Sequence, residues 1–291
     1  MPRRSRRPQS GTESLLEKLL TRLDQQDSDA LAADTVPTGF GSLDRVLGGG
    51  FRRKDLVVLS GDVGSGKSAL ALAIAVRAAG AQIPTLFFSG EMSADRVLER
   101  ALALEGRASI DDLRQGRVDE PSRIEIGAAA VRLRHSPLLV RPLLGATFAE
   151  ISDALDMVPR RQLLVIDSLQ LIAPPQPTAR LQQRIAQTVR ALKALAVERD
   201  IAILVIAQLP NHRAHRADPR PVLDDLGAFG TIKQSADVVL MIYREEMYRP
   251  GQGVEGATEL IVAKNRNGPT GFVDLYFYPR WLRFVDMLDA D

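Results

Sequence analysis

Cysteine is absent from the 291 residues, which excludes disulfides, iron–sulfur clusters and thiolate metal sites. Histidine is scarce, with only His135, His212 and His215, so a histidine zinc site is not expected either. Any metal should be a hard ion held by oxygen, which points to Mg²⁺. Long hydrophobic runs are missing too: no stretch reaches the roughly 18 apolar residues of a membrane span. The Arg-rich N-terminus has no apolar segment behind it and does not read as a secretory signal. No membrane partner is expected. Charge of one sign is also lacking, at a net +2, so partner choice has to be read from where charge clusters rather than from its sum.

What is present is an ordinary globular composition, 45% hydrophobic and 25% charged, at a length that suits one large α/β domain with a small appendage. Residues 1–12 read as a disordered basic tail. Its Arg3, Arg4, Arg6 and Arg7 form either a solubilising segment or an arm for phosphates. Leu15, Leu16, Leu19, Leu20 and Leu23 fall at helical spacing, so 13–34 reads as a short linker helix followed by a polar linker. The compact domain is expected from 35 to 291.

Within that domain, apolar runs of strand length alternate with helical segments. The strand candidates are 55–60, 85–89, 163–168, 201–207, 238–243 and 259–264; the helix candidates are 67–79, 93–104, 122–134, 148–158 and 178–199. Continuous apolar runs between helices predict a largely parallel sheet buried on both faces. The segment 271–286 reads as a hairpin turning near Pro279 and Arg280.

The strongest motif is Gly61-Asp62-Val63-Gly64-Ser65-Gly66-Lys67-Ser68, set between a strand and a helix as a phosphate loop must be. Its glycines let the backbone wrap phosphates, and the following helix start adds its positive dipole end. Lys67 is the expected contact of the β- and γ-phosphates of ATP, and Ser68 an expected Mg²⁺ ligand. Three more residues sit at strand ends, where open α/β sheets gather functional groups. Asp167 is the expected second acidic partner of the metal, Glu91 the expected general base, and Gln208 a γ-phosphate sensor. The plainer readings are a helix cap or surface acid for the first two and a loop cap for Gln208.

Longer phrases go further. TGFGSLDRVLGGGF (38–51), SGEMSADRVLERAL (89–102), LLVIDSLQLI (163–172), IAQLPN (206–211), the stretch from Arg220 to Tyr248 and VAKNRNGPTGFVDLYF (262–277) occur in order. Together they resemble the RecA-like motor domain of DnaB-type replicative helicases from about Thr35 onward. LGGGF and SGE also resemble the RadA and KaiC branches. The resemblance implies a RecA-like P-loop fold with a C-terminal β-hairpin and a short N-terminal linker helix. It also implies a hexameric ring acting 5′-to-3′ on single-stranded DNA, in a bacterial or phage-infected cytoplasm. Glu91 would then be the catalytic glutamate, Asp167 the Walker B acid, and Lys264 and Arg266 the pair that enters the neighbouring subunit's ATP site.

One family loop departs from its pattern. Where these helicases read Asp-Leu-Arg-Glu-Ser-Gly, this chain reads Asp225-Leu226-Gly227-Ala228-Phe229-Gly230. The nucleic-acid candidates are therefore Arg213, Arg216, Arg220 and Lys233 around that loop, the backbone of Gly227, Ala228 and Gly230, the ring of Phe229, and Arg180 and Arg184 elsewhere. The plain alternatives are a solvated basic loop and a Phe packed on a neighbour. With a short helix and basic tail in place of the family's N-terminal domain, the expectation is a stand-alone motor leaning on a loader or primase. The competing expectation is a RadA- or KaiC-like ATPase that remodels DNA–protein complexes without unwinding; a nucleotide-gated scaffold is the third.

Overall fold

The structure is a computed structural model, described over residues 34–143, 146–157, 162–173, 180–210, 216–251 and 253–288, without the side chains of Ala228 and Phe229. The basic tail, the Leu15–Leu23 helix and Arg213 lie outside the described residues. The chain divides into two units, 1–35 and 36–291, and the elements below belong to the second.

Nine strands form one sheet. They are β1 (Leu56–Gly61), β2 (Thr85–Ser89), β3 (Leu138–Pro142), β4 (Leu163–Asp167), β5 (Ala202–Gln208), β6 (Val238–Arg244), β7 (Ala257–Asn265), β8 (Gly271–Tyr278) and β9 (Arg283–Asp286). Their spatial order is β9-β8-β7-β6-β1-β5-β4-β2-β3. The strands from β6 to β3 along this order are parallel. The largely parallel sheet expected from alternation is thus present, with two differences. Strand β3 ends in the exposed Arg141 and Pro142 after only three half-buried apolar positions, so no continuous apolar run marks it. Strand β7 runs antiparallel to β6, because the connection between them carries only a single 3₁₀ turn and no crossover helix. The antiparallel hairpin β8–β9 pairs Tyr278 with Arg283, placing its turn where Pro279 and Arg280 predict it.

Eight helices complete the described core: α1 (Gly41–Leu47), α2 (Lys67–Gly80), α3 (Ala94–Glu105), α4 (Ile110–Gln115), α5 (Glu120–His135), α6 (Phe148–Asp156), α7 (Leu181–Arg199) and α8 (Gly230–Ser235). Side chains alternate across a strand, so β1 feeds both faces. Val57 and Leu59 join the alanine-rich α2 and the Val97, Ala101 and Leu104 stripe of α3. Leu56 and Val58 join Ile185, Val189, Leu192 and Leu195 of α7. Helix α2 is buried from Ala69 to Val76, which requires the small alanines of its sequence. The double-sided burial holds β1, β5, β4 and β2 side by side, and their C-terminal ends form the rim where the expected catalytic residues fall.

Candidate active site

The phosphate loop leaves β1 at Gly61 and enters α2 at Lys67. Gly64 and Gly66 take positive φ, +80° and +97°, which the tight wrap requires. Gly66 is the N-cap of α2 and supplies no side-chain cap, and no acidic residue occupies the first helical turn. The first N–H groups of α2 are thus left for an anion. Lys67 folds back over the loop, its Nζ donating to the carbonyls of Gly61 at 3.0 Å and Asp62 at 2.7 Å.

Electrostatics tie the expected residues together. Burial pushes the Lys67 ammonium below its ordinary range, against the pull of Asp62, Asp167 and Glu91. Burial pushes Asp167 up, and the Glu91 charge adds to this. The Ser68 hydroxyl, hydrogen-bonded to the carboxylate, opposes it together with Lys67 and Arg100. Ser68 and Asp167 thus already share the space between a hydroxyl and a carboxylate oxygen, a donor set suited to a hard divalent cation. Among the described residues no group of three His, Cys, Asp or Glu forms a self-sufficient metal cage. Such a set fits an ion that takes most of its ligands from a nucleotide.

Gln208 stands directly opposite Gly61 in the β1–β5 ladder, so it borders the loop by register alone. Glu91 reaches the site through Gly90, whose N–H donates to the Asp167 carbonyl at 2.6 Å. A Cβ at Gly90 would lie 2.3 Å from Leu171 Cδ1 and 2.9 Å from that carbonyl, so only glycine admits this approach. Lys67, Ser68, Glu91, Asp167 and Gln208 line one cleft of about 330 Å³.

Two features of the cleft escaped sequence reading. Arg100 lines it from α3. The signal was the Val97, Ala101 and Leu104 stripe, which puts Arg100 on the helix edge beside the buried face. The C-terminal hairpin is the second. Phe277 and Phe284, with ring centroids 4.5 Å apart, pack beneath Gly66. Arg244 stacks over Phe277 at 4.4 Å and donates to the Gly64 carbonyl at 3.2 Å, and the Tyr248 hydroxyl donates to Asp62. Strand β6 and the hairpin therefore brace the phosphate loop from outside the helix it feeds.

Lys264 and Arg266 lie elsewhere. Gly61 is level with Ile242 of β6, whereas Lys264 pairs with Val239 and the Arg266 N–H donates to the Asp237 carbonyl. From Ile242 down to Asp237 is about 16 Å at roughly 3.3 Å per residue. Lys264 donates to the carbonyls of Lys233 and Ala236, and Arg266 to the carboxylate of Asp237 and the carbonyl of Gln234. The pair sits at the end of the sheet opposite its own cleft.

The nucleic-acid candidates divide. Arg216 forms a two-pronged pair with Asp225, Arg220 with Glu259, and Lys233 with Asp224. These cations fix the segment 216–235 rather than standing as unpaired charges. Arg180 is exposed at the head of α7, and Arg184 is half-buried one turn in. Leu226 is buried, and Gly227 breaks the 3₁₀ turn Leu223–Phe229 at φ 49°, ψ −120°. That backbone is open to glycine and strained for arginine. Glycine in place of the family's arginine therefore permits a backbone that arginine would adopt only under strain.

A family model for the DnaB-like helicase C terminal domain matches residues 35–286. The replicative DNA helicase DnaB of Leifsonia xyli subsp. xyli is 36% identical over 257 residues, covering 87% of this chain and 56% of the relative. That of Pasteurella multocida is 32% identical over 285 residues, covering 95% and 61%. The chain thus spans a little over half the length of these curated relatives. Among solved structures, a DnaB-like replicative helicase described with its primase interactions superposes with a TM-score of 0.86 at 26% identity, over 94% of this chain and 67% of that one. A solved ATPase domain gives 0.87 at 27% identity, over 96% and 100%. With a matched model over nearly all of the described fold, the chain belongs to the DnaB-like helicase C-terminal domain family.

Proposed function

We propose that the chain is the ATP-hydrolysing motor of a replicative helicase, a ring that translocates 5′-to-3′ along single-stranded DNA. The separation of Lys264 and Arg266 from their own cleft carries this reading. Two cations at the far end of the sheet cannot complete the site of the subunit that bears them. In a closed head-to-tail ring they would face the next subunit's cleft. A hexamer is the ring we propose, with a loader or primase as partner, by extension from the relative described with primase. The expected setting is the cytoplasm; among the described residues no helix is long and apolar enough to cross a membrane.

Each residue then has a task. The α2 N–H groups, the loop amides from Asp62 to Gly66, and Lys67 hold the phosphates of ATP. Ser68 and Asp167 would hold Mg²⁺, whose charge would offset that of the β- and γ-phosphates. Glu91 takes a proton from the attacking water as the γ-phosphoryl group leaves ADP, and Gln208 responds to the γ-phosphate beside Gly61. Arg266 of the neighbour, with Lys264, stabilises transition-state charge, an effect worth roughly 10³–10⁵ in rate for phosphoryl transfer. Arg180, Arg184 and the loop backbone from Gly227 to Gly230 are the proposed contacts to the DNA.

A forked duplex tests the reading. Unwinding with ATP should require a 5′ single-stranded tail. Brisk hydrolysis without unwinding on either tail would favour the RadA- or KaiC-like remodelling reading, which the family matches do not support.

A further inference from the structure

Asp237 immediately precedes β6 and is 2% exposed, yet its carboxylate is divided between two tasks. Oδ2 faces inward, accepting from the Leu56 N–H at 2.9 Å and from Lys193 Nζ at 2.6 Å. Oδ1 faces the edge of the sheet and accepts from Arg266 Nη1 at 2.8 Å. Lys193 already supplies a cation for the buried charge, so Arg266 is not needed to make the carboxylate tolerable there. Arg266 itself remains half-exposed, with a side-chain exposure of 51%. A guanidinium has five N–H donors. Those named here go to Asp237 Oδ1 and the Gln234 carbonyl, and the outer face is left toward solvent.

A flexible arginine that must meet a phosphate on another subunit loses much of its effect to rotamer freedom unless something pre-organises it. Asp237 is built to do so. Its own position is fixed from within by β1 and α7, and the Arg266 backbone is fixed to the same residue through the Asp237 carbonyl at 2.8 Å. We propose that Asp237 is the positioning residue of the trans-acting finger, anchoring the Arg266 guanidinium at the sheet edge for delivery to the neighbouring subunit's ATP. This rests on the reading of Arg266 as a finger in trans.

The test exploits the fact that a finger defect can be repaired by another subunit and a folding or cis-site defect cannot. Asp237→Asn keeps an acceptor for the Leu56 N–H and removes the charge that holds the guanidinium. Its ATP turnover should fall ~10- to 100-fold, the scale expected when a catalytic group is misplaced by about 1 Å. KM for ATP should stay near wild type, because each subunit's own cleft is untouched. Mixing Asp237→Asn in equal amounts with Glu91→Ala subunits, which lack the base but carry an intact finger, should restore activity at roughly one interface in four of a head-to-tail ring. Arg266→Ala mixed with Glu91→Ala is the reference. Rescue of Arg266→Ala without rescue of Asp237→Asn would overturn the positioning role while leaving the finger intact. Failure of the Arg266→Ala mixture would overturn the finger reading and this proposal with it. If Asp237→Asn does not fold, Asp237→Glu retains the charge and displaces the guanidinium by about one methylene. It should show the same loss and the same rescue, and unchanged turnover in the unmixed ring would overturn the proposal.

Discussion

Gly66 makes a sharp demand on its surroundings, and replacing it by alanine tests how the hairpin supports the phosphate loop. At φ +97° an L-residue costs ~1–2 kcal/mol in backbone strain. The new Cβ would lie 2.8 Å from Phe284 Cζ and 3.2 Å from Cε2. Phe284 is fully buried and paired with Phe277, so it has little room to yield, and overpacking of this kind costs ~1–3 kcal/mol. Gly66→Ala should therefore lose ~2–5 kcal/mol, a large part of a typical ~5–15 kcal/mol stability. The assay is urea unfolding followed through Trp281, the single tryptophan, which stacks on Tyr278 at the hairpin turn. Phe284→Leu, made alone and together with Gly66→Ala, separates the two terms: it makes room for the Cβ but leaves the φ strain. The double variant should be less destabilised than the sum by more than ~0.5 kcal/mol, the usual limit of additivity. Strict additivity, or a Gly66→Ala loss below ~1 kcal/mol, would refute the claim that the hairpin presses on the loop.

Burial and the neighbouring Asp237 charge push Asp55 up to about 6, so its ionised form opposes folding and its stability cost appears as pH rises from about 4 to 6. Asp55→Asn should gain on wild type across that window and then level off; a stability difference that ignores pH would contradict the assignment. Arg100→Ala should weaken nucleotide binding several-fold with unfolding unchanged, measured by fluorescent-nucleotide titration, and wild-type affinity would remove Arg100 from the site. Gly227→Arg places the family's residue on a backbone that disfavours it. It should cost ~1–3 kcal/mol from the positive φ and leave DNA affinity unimproved, and a tighter complex at equal stability would show that the loop accepts arginine without strain.

Most of the candidate site is legible in the sequence because the phosphate loop is local: eight consecutive residues, a strand before and a helix after. Asp167, Glu91 and Gln208 are legible because they close or closely follow apolar runs, a property of sheets rather than of any single segment. Arg100 was not, since its approach depends on how α3 rolls against α2. Strand β3 was hidden by Arg141 and Pro142 at its end, and the reversal of β7 left no mark on its apolar pattern. The link between Asp237 and Arg266, or between Gly66 and Phe284, joins residues distant in the chain that carry no shared motif. The positive φ of Gly227 shows in the sequence only as a glycine where the family has an arginine.

ATP hydrolysis by the purified protein, with and without single-stranded DNA and at low and moderate salt, tests the central claim most directly. A motor that grips phosphates should be stimulated by DNA, and the stimulation should weaken steeply as salt rises, because each phosphate contact releases counterions. Hydrolysis that is indifferent to DNA at every salt concentration would contradict the translocase account.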